Sequence, residues 1–441
     1  MRILHVIFSL SPADGGPPKA VGQLVRAYAA IGDSVEVACL DNPDEIFLTD
    51  IPCPVHALGP SFLGRYGFSP RLWRWLNRNA YRFDGIVMNG IWSFPNLAVW
   101  FAAWRARKPY GVFIHGALDP WFNRTYPLKH LKKLLYWPLQ HAVLHDAQAV
   151  FFTTGTERDL AKTSFTPSRW NSVVVPYGIN DPEENDLSSE PPKAEVVKRA
   201  MEGGGTPVEQ VEAFYRMLPE LRDRRFLLFL GRIHEKKGCD LLLHAISKTA
   251  SSVPEVDLVI AGPDNAGMRA KLQRRAERLG IAGRVHWLGF VGGDLKWGAL
   301  RACEASVLPS HQENFGFAVV ESLAVGRPVL ISNQVNIFAD IESDGAGLVE
   351  EDTLEGTERL LRRWFSLPVA ERDAMSALAR ASFIRRFATS RAAVVIDRLF
   401  SSARPELELA LRSSPQITEL RHRDPLPLTR SALDSSTETK F

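Results

Sequence analysis

Residues 226–246 read FLLFLGRIHEKKGCDLLLHAI, and this stretch decides how the chain folds. It opens on five consecutive apolar residues that end at Gly231. A run that is apolar throughout, without alternation, suits a strand buried on both faces. A short polar loop flanked by Arg232 and Lys237 follows, and then an apolar stretch of helical length. Strand, polar loop and helix in that order make the repeating unit of a parallel α/β sheet.

The same kind of run recurs on both sides of it. Upstream lie 2–10, 34–40, 85–89, 111–115, 149–154 and 172–176; downstream lie 256–262, 284–289, 305–310 and 328–332. Helical lengths separate them, which predicts an α/β protein of two doubly wound, parallel-sheet, Rossmann-like domains facing a cleft. At 441 residues the chain exceeds what one core usually organises. The division falls in 181–207, where DPEEND, SSEPPK and Gly203-Gly204-Gly205 have linker chemistry. The expected units are an acceptor-side domain over 1–180, a linker with insertion over 181–222 and a second domain over 223–385. A helix over 386–404 is expected to return to the first domain. From 405 to 441, Pro, Ser, Thr and charges dominate, which predicts a disordered tail.

Lys+Arg 53 against Asp+Glu 50 is too balanced for nucleic acid as a main partner. The four cysteines, Cys39, Cys53, Cys239 and Cys303, are scattered, without a CxxC pair, and predict a reduced cytoplasmic protein with no metal site. The apolar opening is short and interrupted by His5 and Ser9, so it reads as a buried strand rather than a signal peptide.

Several residues then gather chemistry. Arg232 and Lys237 lie at a strand's carboxyl end close to a helix start, where phosphate binds well, although GRxxxKG reads equally as a solvated basic loop. In HQENFGFAVVESLAVGRPVLIS (311–332), Glu313 follows a strand and Glu321 falls about one turn into the next helix. Carboxylates accept hydrogen bonds from vicinal hydroxyls, as of a sugar or ribose. Between them Asn314, Phe315, Gly316 and Phe317 offer backbone N–H groups at a helix N-terminus. Gly15 and Gly16 after the first strand allow either close approach to a ligand or a tight turn. His115 ends the strand GVFIH at the expected cleft. The stretch RTYPLKHLKKLLYWPLQ (124–140) mixes Arg124, Lys129, Lys132 and Lys133 with leucines, Tyr136 and Trp137. It reads either as an interfacial helix or as a helix packed on the sheet, and Pro138 is expected to interrupt it.

Taken together, GRIHEKKG, LVIAGPD, HWLGFV and ENFGFAVVESLAVGRPV resemble the family 4 retaining glycosyltransferases of GT-B fold, from about residue 2 to about residue 400. HGALDPW (115–121) looks like the branch that builds bacterial surface polysaccharides. The resemblance implies that Arg232 and Lys237 hold the diphosphate of a nucleotide-sugar donor and that Glu321 binds its ribose. It places Glu313 and His115 against the transferred sugar as catalytic residues. Asn314 to Phe317 and Gly16 would complete the donor site, with Gly15 on the acceptor or phosphate side and HWLGFV lining the base pocket. The implied activity is hexose transfer to a glycan or lipid-linked saccharide acceptor, with retention of configuration and without a cofactor. No DxD motif occurs, so cations and a helix N-terminus would stabilise the leaving diphosphate without metal. The expected place is the cytoplasm, either free or, on the interfacial reading of 124–140, peripheral on the inner membrane face. A GT-B sugar-nucleotide epimerase and a non-catalytic nucleotide-sugar-binding protein share most of these residues. A dehydrogenase is a weaker reading still, because GxGxxG does not follow the first strand.

Overall fold

In the computed structural model, which describes residues 1–183, 204–249, 256–264 and 267–401, the apolar runs become two all-parallel sheets. The first contains β1 (Arg2–Ile7), β2 (Ser34–Cys39), β3 (Val55–Ala57), β4 (Gly85–Asn89), β5 (Tyr110–Phe113), β6 (Ala149–Phe152) and β7 (Ser172–Val174), in the order β3-β2-β1-β4-β5-β6-β7. The second contains β8 (Arg225–Leu230), β9 (Val256–Ala261), β10 (Val285–Gly289), β11 (Ala305–Leu308), β12 (Val329–Ser332) and β13 (Gly347–Glu350), in the order β10-β9-β8-β11-β12-β13. This is the two-sheet GT-B architecture read from the sequence. The strands β3 and β13 were not among the expected runs.

The central strands β4, β5, β6, β9, β11 and β12 are buried along their whole length. Covering helices explain this, because a crossover helix lies between most successive parallel strands. Each sheet reverses its strand order once, between β1 and β4 and between β8 and β11. Crevices for ligands open at such reversals, outside the carboxyl ends of the strands. Gly15-Gly16 follow β1; Arg232 and Lys237 follow β8; Glu313 follows β11. Three of the sequence-derived features therefore leave the sheets at strands that border a reversal.

Residues 184–203 of the expected linker, and all of the expected tail, lie outside the described residues. Within 181–222, Pro207–Met217 is a helix capped by Thr206, whose side chain accepts the N–H of Glu209. Its Phe214 is fully buried in the core of the second sheet, stacked on Phe226 with centroids 5.1 Å apart. It packs so closely on the helix Gly293–Ala302 that a Cβ at Gly298 would stand 1.9 Å from the carbonyl oxygen of Gln210. Near the other end of the second unit, Phe387–Thr389 run beside Gly178 and Ile179, with Ile179 N–H donating to Phe387 O at 3.1 Å.

Candidate functional site

The loop after β8 turns at once. Glu235–Lys237 form a single 3-10 turn capped by His234, and Gly238 follows in the left-handed region at φ 67°. A Cβ there would stand 2.1 Å from the carbonyl oxygen of Pro309, so only glycine lets this loop tuck under the end of β11. That tuck buries Lys237 to 8% exposure and sets its ammonium against the Glu313 carboxylate. Burial, followed by the charges of Lys236 and Arg232, pushes the Lys237 ammonium down to about 7. The carboxylate in contact with it opposes that push.

After β11 the chain passes Glu313 and enters the helix Phe317–Ala324 through Gly316, which is left-handed at φ 74°. The first-turn N–H groups of a helix have no partner within it, so this end faces the cleft as a donor surface. Glu321 lies inside this helix at 4% exposure. Burial alone would raise its pKa, but Lys19 and Lys296 outweigh it and hold the carboxyl at about 2. Lys296 Nζ donates to Glu321 at 2.7 Å, and Lys19 donates from the opposite sheet. Phe315 is buried to 3%, edge-on to Tyr177, whereas the Phe317 ring faces Lys19 Nζ at 5.0 Å.

On the first sheet, His115 and Gly116 follow β5 with φ of 54° and 72°. A left-handed histidine is uncommon and has to be held by its surroundings. Glu157 does so: it accepts the Gly116 N–H at 2.6 Å while also accepting the Thr153 N–H at 2.6 Å and hydroxyl at 2.7 Å. Burial raises the Glu157 pKa, and these donors pull it back. Burial lowers the His115 pKa to about 3, with His5 adding to the effect, so its imidazole is neutral near pH 7.

The two sheets meet at several of these residues. Gly16 stands close to the Phe317 ring, where a Cβ would be 3.4 Å from it, and a Cβ at Gly15 would be 3.8 Å from the Arg232 guanidinium. A Cβ at Gly116 would come within 3.0 Å of the Asn314 side chain, which donates to the Thr153 hydroxyl at 3.2 Å. Gln312 bridges Lys236 Nζ at 3.3 Å and Asp119 at 3.2 Å. A cavity of about 560 Å³ is lined by Gly15, Gly16, Arg232, Lys237, Glu313, Gly316, Phe317 and Glu321. An adjoining one of about 170 Å³ adds His115, Phe315 and Asn314 and shares Gly16, Arg232, Glu313, Gly316 and Phe317 with the first. Every candidate site residue therefore lines one of two contiguous cavities.

Sequence reasoning missed Lys19, Lys296, Tyr177, Glu157 and Gln312. Lys19 lies three residues past the glycine pair, and Tyr177 lies in VVPYGIN, so only their neighbourhoods carried a signal. The basic stretch is corrected in two respects. Pro138 does not interrupt it, since the helix Pro127–His145 runs through; Trp137 is buried at 2%, and Leu128, Leu131, Leu134, Leu135 and Leu139 are its exposed leucines. Buried Gln140, Val143 and Leu144 beyond the proline hold that helix by packing, which overrides the local preference. No helix among the described residues is long and apolar enough to cross a membrane.

The comparisons with known proteins agree with this geometry. The family of Glycosyl transferases group 1 matches residues 212–382, and the Glycosyl transferase 4-like domain matches residues 15–178. A D-inositol 3-phosphate glycosyltransferase of Actinosynnema mirum is 35% identical over 198 residues, 43% of this chain and 42% of that protein. An uncharacterised glycosyltransferase of Methanocaldococcus jannaschii is 31% identical over 156 residues, 34% of this chain and 39% of that one. The chain thus spans about two-fifths of the length of these relatives. Among solved structures, Anabaena HepE in complex with UDP and glucose superposes with a TM-score of 0.68 at 18% identity, covering 91% of this chain and 100% of that one. Sucrose-phosphate synthase of Thermosynechococcus elongatus does so with a TM-score of 0.66 at 17% identity, covering 91% and 99%. At these identities the superpositions speak for the fold.

Proposed function

We propose, for a chain that belongs to the family-4-like glycosyltransferases of GT-B fold, transfer of a hexose from a nucleotide-diphosphate sugar to a glycan or lipid-linked saccharide acceptor, with retention of configuration. The observation that carries this reading is the composition of the larger cavity. Its cations include Arg232 and Lys237, its carboxylates include Glu313 and Glu321, and the start of a helix lies beside them. Cations and helix N–H groups suit a diphosphate, and carboxylates suit vicinal hydroxyls. A nucleotide sugar has all three parts in one molecule.

In this reading the diphosphate lies against Arg232, Lys237 and the N–H groups following Gly316, with Gly15 and Gly16 close enough to let it in. Glu321 takes the ribose. Glu313 and His115, which both line the smaller cavity, take the hydroxyls of the transferred sugar. A neutral His115 orients that sugar by hydrogen bonding. As the glycosidic oxygen leaves, negative charge grows on the diphosphate, and the fixed cations and helix end stabilise it there without a metal ion. The acceptor attacks from the face the diphosphate leaves, which retains configuration. Its site is the first domain's side of the cleft, and the exposed leucines of Pro127–His145 would set the enzyme on the inner membrane surface in bacterial polysaccharide synthesis.

The first donors to test are UDP- and GDP-sugars, screened by thermal shift, followed by turnover with candidate acceptors. We expect nucleoside diphosphate to appear when an acceptor is supplied, and EDTA to leave the rate unchanged. Release independent of any acceptor would favour the epimerase reading. Loss in EDTA restored by magnesium would overturn the metal-free step.

A further inference from the structure

Both lysines that meet Glu321 reach the same oxygen. Lys19 Nζ donates to Oε1, and Lys296 Nζ donates to Oε1 at 2.7 Å. Among the described residues no hydrogen bond reaches Oε2. The two cations come from different sheets. Lys19 is in the helix Gly16–Ala30 after β1, and Lys296 is in the helix Gly293–Ala302 after β10. All three side chains line the larger cavity, although Glu321 itself is only 4% exposed.

Stability alone does not account for this triad. Burying a carboxylate with two ammonium groups costs desolvation that its Coulombic gain roughly cancels, and apolar residues of similar volume often serve as well. The arrangement is better suited to fixing a direction. A carboxylate offers about four acceptor positions, and two strong donors on one oxygen leave the other for a ligand. The Phe317 ring, 5.0 Å from Lys19 Nζ, limits where that ammonium can go.

We propose that Lys19 and Lys296 are positioning residues for the nucleotide's ribose: by clamping Oε1 of Glu321 from opposite sheets, they aim Oε2 at one ribose hydroxyl, and only while the cleft is closed. The proposal rests on reading Glu321 as the ribose ligand. It adds that a residue of the first domain controls recognition of a group bound by the second. An open cleft, with Lys19 withdrawn, would leave that carboxylate free to rotate on Lys296 alone.

The test uses the full chain and measures dissociation constants for UDP and GDP and for their 2′-deoxy and 3′-deoxy forms. For the nucleotide that binds, the wild type should lose about tenfold or more on removal of one hydroxyl, as for a charge-assisted hydrogen bond. Lys19→Met and Lys296→Met should each weaken the parent nucleotide and shrink that loss to about threefold or less, while Lys19→Arg restores most of it. A role in folding alone would lower stability without changing discrimination between hydroxyl and deoxy forms. Should Lys19→Met fail to fold, Lys296→Met carries the same comparison. Tighter parent binding in Lys19→Met would mean that Lys19 competes with the ribose, and it overturns the clamp; unchanged discrimination overturns it too. Binding of neither UDP nor GDP by the wild type would sink the donor reading itself, a failure distinct from loss of the clamp alone.

Discussion

The hydroxyl of Tyr177 lies 2.7 Å from Nδ1 of His115, with the two rings stacked at 5.5 Å between centroids. Tyr177 also stacks at 6.1 Å on Phe317 of the second sheet. Burial, with Glu157 adding to it, raises the tyrosine pKa well above its usual value, so the hydroxyl keeps its proton and can donate to the imidazole or accept from it. A neutral His115 that accepts at Nδ1 carries its own proton on Nε2. The pair thus fixes the orientation of the imidazole. We expect Tyr177→Phe to lower kcat by about tenfold, the scale of one hydrogen bond, with donor KM within about twofold. Steady-state release of nucleoside diphosphate measures both. A raised KM with unchanged kcat would mean that His115 serves donor binding.

Acid should destabilise the fold before it affects the ion pairs. Burial lowers the pKa of His5 and of His115 to about 3, against 6.5 when unfolded. Between those values the unfolded chain binds more protons, so stability rises with pH across that window and falls on acidification. At one unit below 6.5 each histidine costs about 1.4 kcal/mol, so moving from pH 7.5 to pH 5 should remove about 4 kcal/mol for the two. The low pKa of Glu321 acts only below about 4.5, outside this range. Urea unfolding at the two pH values gives the difference, and His115→Asn should roughly halve it. An unchanged stability at pH 5 would show that the two imidazoles are not held neutral.

How much of this was legible in the chain follows from how local each feature is. Arg232, Lys237, Glu313 and Glu321 are set by strand ends and helix starts a few residues away, and those show in sequence. Glu321 meets Lys19 across 302 positions, and Gly116 meets Glu157 across 41. No spacing rule brings such pairs together; only the two sheet orders do. The missed strands β3 and β13 have three and four residues, VHA and GLVE, too few and too mixed to make an apolar run. Pro138 was read by its local preference, and packing overrode it.

Donor binding should take up a proton. Lys237, pushed down to about 7 by burial and the charges of Lys236 and Arg232, loses charge as pH rises above that value, and a diphosphate beside it favours the charged form. Affinity for the nucleoside diphosphate should therefore fall between pH 7 and pH 9. At pH 8 the calorimetric heat should differ between Tris and phosphate in proportion to their ionisation enthalpies. Lys237→Met should remove that difference and weaken binding by about a hundredfold, as should Lys237→Ala, whereas Glu321→Ala should weaken binding by about tenfold or more and leave proton uptake in place. Unchanged affinity in both alanine variants would overturn the assignment of these residues to the donor.

The exposed stripe on Pro127–His145 gives a test away from the cleft. Leu128, Leu131 and Leu135 are 80%, 60% and 84% exposed, and their spacing of three and four places them on one helix face. Lys129 and Lys132 flank them, which suits an anionic bilayer interface in charge. The chain should sediment with vesicles rich in anionic lipid at low salt, less with neutral vesicles, and less again as salt screens the lysines. Leu128→Gln, Leu131→Gln and Leu135→Gln combined should abolish sedimentation, since each leucine contributes up to about 1.5–3 kcal/mol when fully buried. Because all three side chains already face water, the melting temperature should stay within about 2 °C of the wild type. Sedimentation of the triple variant equal to wild type would move the contact to another face. If the wild type does not sediment at all, the enzyme has to meet its acceptor in solution, and a soluble glycan becomes the substrate to test first.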